Sequence, residues 1–419
     1  MDAPTRADIE SYLKSTVRLV ERVHDPFYVT YSRNALASFD YRIQHTVVNQ
    51  SKNLFKGSTA LTIFEDGKPL RFANVLQSLQ ESRQIRTYRD AVWVPYNARH
   101  PQAATPSKLN LFTGFALESV PKSDIEFPKT RIYDLLSRLC GNKRAYLEYL
   151  LNFIATKLQR PQVKHPIALC FINSKEGSGK GSFGKFLELL FASDCNTYVS
   201  FNDLEAFKNS FNSVQAKAQW ICLEEVSCRN GGLRSYNGFL KDKISSTVLL
   251  MEPKGKERVQ VPWYGNVIIF SNEFNVMSCS RNDRRLVFFS SDSSKANDKS
   301  YFTRVYEELA DLRVLKSAFD WFTNRDVSGF DYRAIPYSRI KEKLVRCSER
   351  NADKFHRYFL KQQHGDTHRL TGTDVYDAYR DYCSSYGISK VKNRHNVIST
   401  MELHLDFIQK TPNREDNIY

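Results

Sequence analysis

No apolar run in this 419-residue chain approaches the roughly 20 residues needed to cross a bilayer. Nor does any N-terminal stretch carry the charged, apolar and small-residue order of a secretory signal. The chain therefore reads as a soluble intracellular protein with no membrane partner, cytoplasm and nucleus both remaining open. Cys-x-x-Cys is also missing. The eight cysteines (140, 170, 195, 222, 228, 279, 347 and 383) are scattered, and several fall inside apolar strand-like runs, as buried reduced thiols do. That pattern argues against a zinc site and for a reducing compartment. Low-complexity tracts are absent, and the first 105 residues hold no paired-acid metal site of the kind a polymerising primase needs. Asp40 and Glu65-Asp66 read as turn and surface residues, so priming is not expected of this chain.

What is present is enough apolar matter for more than one core: 41% of residues are hydrophobic and 13% aromatic. About two to four folding units are expected at this length. A net charge of +15 and a pI near 9.3 favour a polyanionic partner, because Lys and Arg that neutralise phosphates release condensed counterions.

Residues 171–183, Phe-Ile-Asn-Ser-Lys-Glu-Gly-Ser-Gly-Lys-Gly-Ser-Phe, follow the apolar run from Ile167 to Ile172 and precede a helical pattern from Phe183 to Phe191. Strand, glycine loop and helix in that order make a phosphate cradle. The backbone curls so that successive amides face phosphate oxygens, the helix presents its positive end, and Lys180 reaches the terminal phosphates. Glu176, Gly177, Ser178, Gly179, Lys180, Gly181 and Ser182 are the nucleotide-binding candidates. Relative to G-x-x-x-x-G-K-[ST], Ser174 replaces the first Gly and Gly181 the magnesium-holding hydroxyl.

Three further segments bear on the same chemistry. Gln219 to Glu225 is an apolar strand ending in two carboxylates, with Glu224 assigned to magnesium, beside the Ser182 hydroxyl, and Glu225 to the attacking water. Asn266 to Phe270 is an apolar strand that delivers the neutral amide of Asn272 towards the terminal phosphate. Arg281 to Arg285 places fixed cations just before the apolar stretch Leu286 to Phe289, where a guanidinium can stabilise charge on a transferring phosphoryl group. Each has an ordinary reading when taken alone: a glycine turn, a solvated Glu pair, a turn-forming Asn, an ion-pair cluster around Asp283. All four in this order within the span of one domain are poorly explained by chance.

The order of phosphate loop, Glu-Glu strand, basic hairpin, Ser-Asn strand and Arg-Arg resembles the superfamily 3 helicases. Within them it is most similar to the primase-associated branch of viruses and plasmids, related to the poxvirus-type primase-helicase. The Gly-Ser-Gly-Lys-Gly loop is familiar in that branch, and Asn110-Leu-Phe-Thr-Gly-Phe115 also resembles it, so the likeness covers about residues 106 to 290. The resemblance implies an α/β fold with an AAA+ P-loop ATPase core, ATP and Mg2+ as cofactors, and a homo-oligomeric ring, usually a hexamer. It further implies movement along single-stranded DNA with unwinding of forked duplex, and it admits a primase or polymerase as partner. Each active site would lie between subunits, with Lys180, Glu224, Glu225 and Asn272 from one and Arg284 or Arg285 from the next. A replicative DNA helicase of a virus or mobile element is the reading implied. The alternative is an ATP-switched DNA-binding initiator or loader without intrinsic unwinding.

Leu249 to Pro262 forms two apolar arms around a Lys-Gly-Lys tip and reads as a hairpin. In helicases of this kind the matching hairpin grips the nucleic-acid backbone, which makes Lys254, Lys256 and Arg258 phosphate-contact candidates. Four regions are expected: an N-terminal α+β accessory unit (1–105), a helical collar (106–164), the ATPase core (165–330) and a winged helix-turn-helix-like domain (331–419). In the first, a helix is expected from Ala7 to Val23, a hairpin turned at Asp66-Gly67, and a second helix beginning near Leu76. The collar reads as two helices between Arg131 and Leu158, interrupted at Gly141-Asn142. Tyr301 to Phe322 has the helical pattern of a lid. In the last region helices are expected over 353–363, 373–386 and 392–405, Thr373 capping the second and Gly387 ending it. Lys390, Lys392 and Arg394 open the third as candidates for nucleic-acid contact.

Overall fold

The computed structural model describes residues 7, 10–11, 13–14, 17–20, 27–33, 43–48, 63–65, 68–70, 72–97, 107–173, 175–193, 195–202, 204–208, 213–224, 237–252, 258–272, 279–280, 282–348, 354–356, 358–359, 371–388 and 391–402. The chain divides into two compact units, residues 1–277 with 282–340, and 278–281 with 341–419.

Strands β1 (Val17–Val20), β2 (Phe27–Arg33) and β3 (Ile43–Val48) are followed by the pair β4 (Ile63–Glu65) and β5 (Lys68–Leu70), helix α1 (Phe72–Glu81) and strand β6 (Thr87–Tyr88). One sheet has the order β3-β2-β1-β6. Here the helix expected as far as Val23 is corrected: Val17–Val20 is a strand, antiparallel to β2 and parallel to β6. β-branched Val17 and Val20 flank Leu19 in a segment too short to hold its own helix, and a strand on either side satisfies its backbone groups. The β4–β5 hairpin forms with Glu65 opposite Lys68. Its expected turn residues, Asp66 and Gly67, lie outside the described residues. Strands β7 (Asp90–Val92) and β8 (Lys108–Asn110) pair in parallel.

Helices α2 (Arg131–Leu139) and α3 (Arg144–Gln159) stand where the collar was expected. The Thr130 side chain accepts from the Tyr133 N–H and starts the first. Gly141 (φ +64°) and Asn142 (φ +56°) separate the two, in a left-handed conformation that glycine and asparagine tolerate best.

Next come β9 (Ala168–Ile172), α4 (Lys180–Leu190), β10 (Tyr198–Phe201), α5 (Leu204–Lys208), β11 (Trp220–Leu223), α6 (Asn237–Ser245), β12 (Val248–Met251), β13 (Val259–Pro262), β14 (Asn266–Ser271) and β15 (Leu286–Phe289). The sheet order β10-β11-β14-β9-β15 is parallel throughout. Every residue of β9, β11, β14 and β15 is buried. This is why these strands read as unbroken apolar runs: a parallel sheet covered on both faces has no wet side to alternate with. Phe171 stacks on Phe289 with ring centroids 4.6 Å apart and lies 5.1 Å from Phe183 of α4. Each such buried ring contributes about 1.5–3 kcal/mol. Outside the sheet, β12 and β13 form the expected antiparallel hairpin, with Met251 opposite Val259.

The lid pattern resolves into α7 (Lys299–Ala310) and α8 (Leu312–Asn324). Asp311 ends one and caps the other, its carboxylate accepting from the Arg313 N–H at 2.8 Å. Helix α9 (Arg339–Ser348) contains the boundary between the two units. In the second unit, α10 (Gly372–Ser385), α11 (Arg394–Glu402) and helical residues at 354–356 and 358–359 build a small core of Phe355, Val375, Tyr379, Tyr382, Cys383, Val397 and Met401. The cap of α10 is Thr371, not Thr373. Thr371 Oγ accepts from the Asp374 N–H while the Asp374 carboxylate takes the Thr371 N–H, a reciprocal capping box that starts the helix two residues early. Gly387 follows in the left-handed region, φ +61°. No helix among the described residues is long and apolar enough to cross a membrane.

Candidate active site

Parallel strands all point one way, so whatever follows β9, β11 and β14 leaves the sheet at the same edge. Because β14 lies between β11 and β9, Asn272 at its end emerges between Glu224, which follows β11, and the glycine loop, which follows β9. The loop is pinned at its start. Asn173 donates its backbone N–H to Ser271 O (3.1 Å), and its side chain meets Ser293 Oγ at 2.9 Å.

Beyond Asn173 the backbone needs glycine. Gly177 (φ +68°) and Gly179 (φ +92°) are both left-handed. A Cβ on Gly177 would sit 2.0 Å from Asn297 Oδ1, and one on Gly179 would sit 2.5 Å from Leu135 Cδ1. Gly179 is the N-cap of α4 and supplies no side chain to it, which leaves the first-turn N–H groups open towards the cavity. Ser178 Oγ is buried and has no hydrogen-bond partner among the described residues.

Lys180, the first residue of α4, donates from Nζ to Asn272 Oδ1 at 2.5 Å. Around them is a cavity of about 720 Å³ lined by all seven loop candidates from Glu176 to Ser182, by Glu224 and by Asn272. An orphaned hydroxyl, open helix N–H groups and an ammonium suit a polyanion. Glu224 and Ser182 also offer oxygens to the same space. No cluster of three ligating side chains exists among the described residues. A magnesium ion carried on phosphates fits that, since it keeps several waters and takes only one or two protein oxygens.

Five lining residues were not singled out from sequence: Lys185 on α4, Asn297, and Lys299, Phe302 and Tyr306 on α7. Helix α7 is fixed by α2. The Glu308 carboxylate accepts from the Arg131 and Ile132 N–H groups, each at 2.9 Å, and so caps α2 from a neighbouring helix. Arg138 bridges Asp134 (2.8 Å) and Asp292 (2.9 Å), holding the chain that leads into α7. The Asp292 carboxyl lies below its ordinary range, chiefly because Ser294 donates both its N–H and its hydroxyl, with Asn142 and Arg138 adding to this. Helical periodicity could mark Tyr306 as exposed. Only the tertiary arrangement shows what it faces.

Other candidates lie elsewhere. Glu225, Lys254, Lys256 and Lys390 fall outside the described residues. Arg284 and Arg285 immediately precede β15, and the Ala168 N–H at the start of β9 donates to Arg285 O at 2.8 Å. Both arginines are thus at the opposite edge of the sheet from the cavity, a strand length of roughly 13–17 Å away. Arg284 is exposed, whereas Arg285 Nε donates to Ser245 Oγ at 2.8 Å. Arg258 sits at the base of the β12–β13 tip, paired with Glu252 at 2.8 Å on an exposed surface. Lys392 and Arg394 belong to the second unit, where Lys392 O accepts from Tyr376 Oη and Arg394 opens α11 in solvent.

These features define a mixed α/β protein built on a parallel sheet, with a glycine loop and a polar cavity at the strands' carboxyl edge. A family of unknown function, DUF5906, matches residues 172–285, a span that takes in the loop, Glu224, the hairpin, Asn272 and both arginines. In fold the chain is similar to the C-terminal region of NrS-1. An A-form apo structure of that region superimposes with a TM-score of 0.68 at 17% identity over 98% of each chain. An apo structure of residues 305–718 gives 0.66 at 16% identity, over 98% of this chain and 97% of that one. JCV helicase covers 55% of this chain and 71% of its own at 15% identity, with a TM-score of 0.29 that is too low to argue from. No curated protein matches the chain.

Proposed function

We propose that the chain is an ATP hydrolase working as a replicative DNA helicase of a virus or mobile element, an AAA+ motor that forms a ring and moves on single-stranded DNA. The observation that carries this is the convergence of Lys180, Asn272, Glu224 and a left-handed glycine loop on one cavity. Open N–H groups of α4 and the Lys180 ammonium hold the terminal phosphates, with Asn272 keeping that ammonium aimed. Glu224 and Ser182 hold magnesium, which when bound neutralises charge on the phosphates. Glu225, next along the chain, orients the attacking water. Since Arg284 and Arg285 cannot reach the cavity of their own chain, the arginine is supplied by a neighbouring subunit, and exposed Arg284 is the better placed. The β12–β13 hairpin joins β14 through residues 263–265, so a shift at Asn272 is passed along β14 and this short link to the hairpin that carries Lys254 and Lys256. A primase or polymerase is a natural partner for such a motor.

Strand separation on a forked duplex tests this reading. Wild type should unwind with ATP, while Glu225→Gln should bind ATP without turnover or unwinding. ATP-dependent DNA binding with no unwinding at saturating protein would favour the loader reading instead. Normal turnover by Glu225→Gln would remove the water assignment.

A further inference from the structure

Tyr306 is 57% exposed, a large ring left in water on the solvent-facing side of α7, whose buried side is Tyr301, Val305 and Leu309. It lines the same cavity as the loop, and Ser182 Oγ donates to its hydroxyl at 3.4 Å. Phe302, one turn earlier on α7, presses its ring edge against Gly179, 3.2 Å from where a Cβ would stand. The two rings thus form a wall beside the first turn of α4, just beyond the lysine that reaches the terminal phosphates. The cavity that holds Lys180 extends to this wall, with room there for the nucleoside of a triphosphate seated on Lys180.

The polar groups on that side are few. Among the described lining residues of α4 and α7, those beyond Lys180 with polar side chains are Ser182, Lys185, Lys299 and Tyr306. None of these four is a carboxylate or amide able to read a base edge; the lining amides, Asn272 and Asn297, sit against Lys180 and Gly177, and the two lysines are long, flexible cations suited to phosphate and ribose oxygens. An aromatic face, by contrast, accepts any base, because every base has a π surface.

We propose that Tyr306 is the nucleobase-stacking residue of this site, backed by Phe302, and that the site takes adenine and guanine nucleotides alike. This rests on the nucleotide reading above. The test uses the full chain and titrates magnesium with ATP, GTP or inorganic tripolyphosphate into wild type, Tyr306→Ala and Tyr306→Phe. Wild type binds ATP and GTP within about threefold of each other. Tyr306→Ala weakens both by roughly 5- to 150-fold, the range for losing one aromatic–base stack, leaves tripolyphosphate unchanged, and Tyr306→Phe binds as wild type does. The proposal is overturned if Tyr306→Ala binds ATP normally, if it loses tripolyphosphate in equal measure, or if wild type prefers one base by 100-fold or more. Should wild type bind tripolyphosphate and no nucleotide, the base wall alone fails. Should it bind neither, the nucleotide reading fails and the wall with it.

Discussion

At the scale of single residues, the site depends on groups that tolerate no near neighbour. Gly179 combines φ +92° with a Cβ position 2.5 Å from Leu135 Cδ1. Gly179→Ala should therefore unseat the loop, lowering ATP affinity by 10-fold or more in a binding titration while far-ultraviolet circular dichroism stays native. Unchanged affinity would mean the loop does not hold the ligand. His165 makes a different kind of claim. It is buried between Tyr332 (ring centroids 4.7 Å) and Phe153 (5.4 Å), and its Nε2 has no partner among the described residues. Burial lowers its pKa from 6.5 to about 4, with Lys157 and Arg160 adding to the effect. Between those values the unfolded chain holds the proton and the folded chain does not. The contribution to stability is thus complete above pH 6.5 and is lost as pH falls towards 4. Melting temperatures should fall across that window in wild type and fall less in His165→Phe. Parallel curves for the two proteins would show that His165 does not titrate in this way.

At the scale of elements, strands were easier to read than their surroundings. Four of the five core strands announced themselves as apolar runs because both faces of the sheet are covered. Edge strand β10, Tyr198–Phe201, is only partly buried and left no such run. β1 reads as helix in sequence because its four residues, Val17–Val20, are too few to show a strand period against the apolar spacing before them. Lys180, Asn272 and Glu224 were legible because each ends a recognisable strand or opens a helix. The wall of Phe302 and Tyr306 was not, since it exists only where α7 crosses the start of α4. Equally invisible was the anchor beneath the hairpin. Lys157 is wholly buried and donates to Pro161 O (3.1 Å), Val163 O (3.3 Å) and Tyr264 O (2.5 Å), tying α3 to the segment between β13 and β14. Burial lowers its pKa to about 7. Lys164 works alongside, reaching Lys243 O and Ser246 O at 2.7 Å and lying 3.6 Å from the Trp263 ring centroid. Lys157→Met strands three carbonyls without their donor and should cost on the order of 2–4 kcal/mol in a urea titration. A cost below about 0.5 kcal/mol, the usual range for surface changes, would show that the clamp does not hold the hairpin base.

For the whole molecule, the decisive fact is that one sheet edge carries the cavity and the other carries Arg284 and Arg285. Sequence order placed the arginines after the last strand of the set; only the parallel direction of β15 shows that they face away from their own site. On the proposed reading, a second copy completes the site. Arg284→Ala should bind ATP yet hydrolyse it at least 100-fold more slowly, and mixing it with Lys180→Ala should restore part of the activity, because some interfaces then pair an intact loop with an intact arginine. No recovery on mixing, across a range of ratios, would count against the shared site. With a net charge of +15, binding to single-stranded DNA should also weaken steeply between low and moderate salt. All of this depends on the cavity at residues 176–182 being a triphosphate site. Steady-state ATP hydrolysis by wild type and Lys180→Ala, with and without single-stranded DNA, measures that most directly. The account predicts DNA-stimulated turnover in wild type and none in the variant; equal rates in the two proteins, or none in wild type, would contradict it.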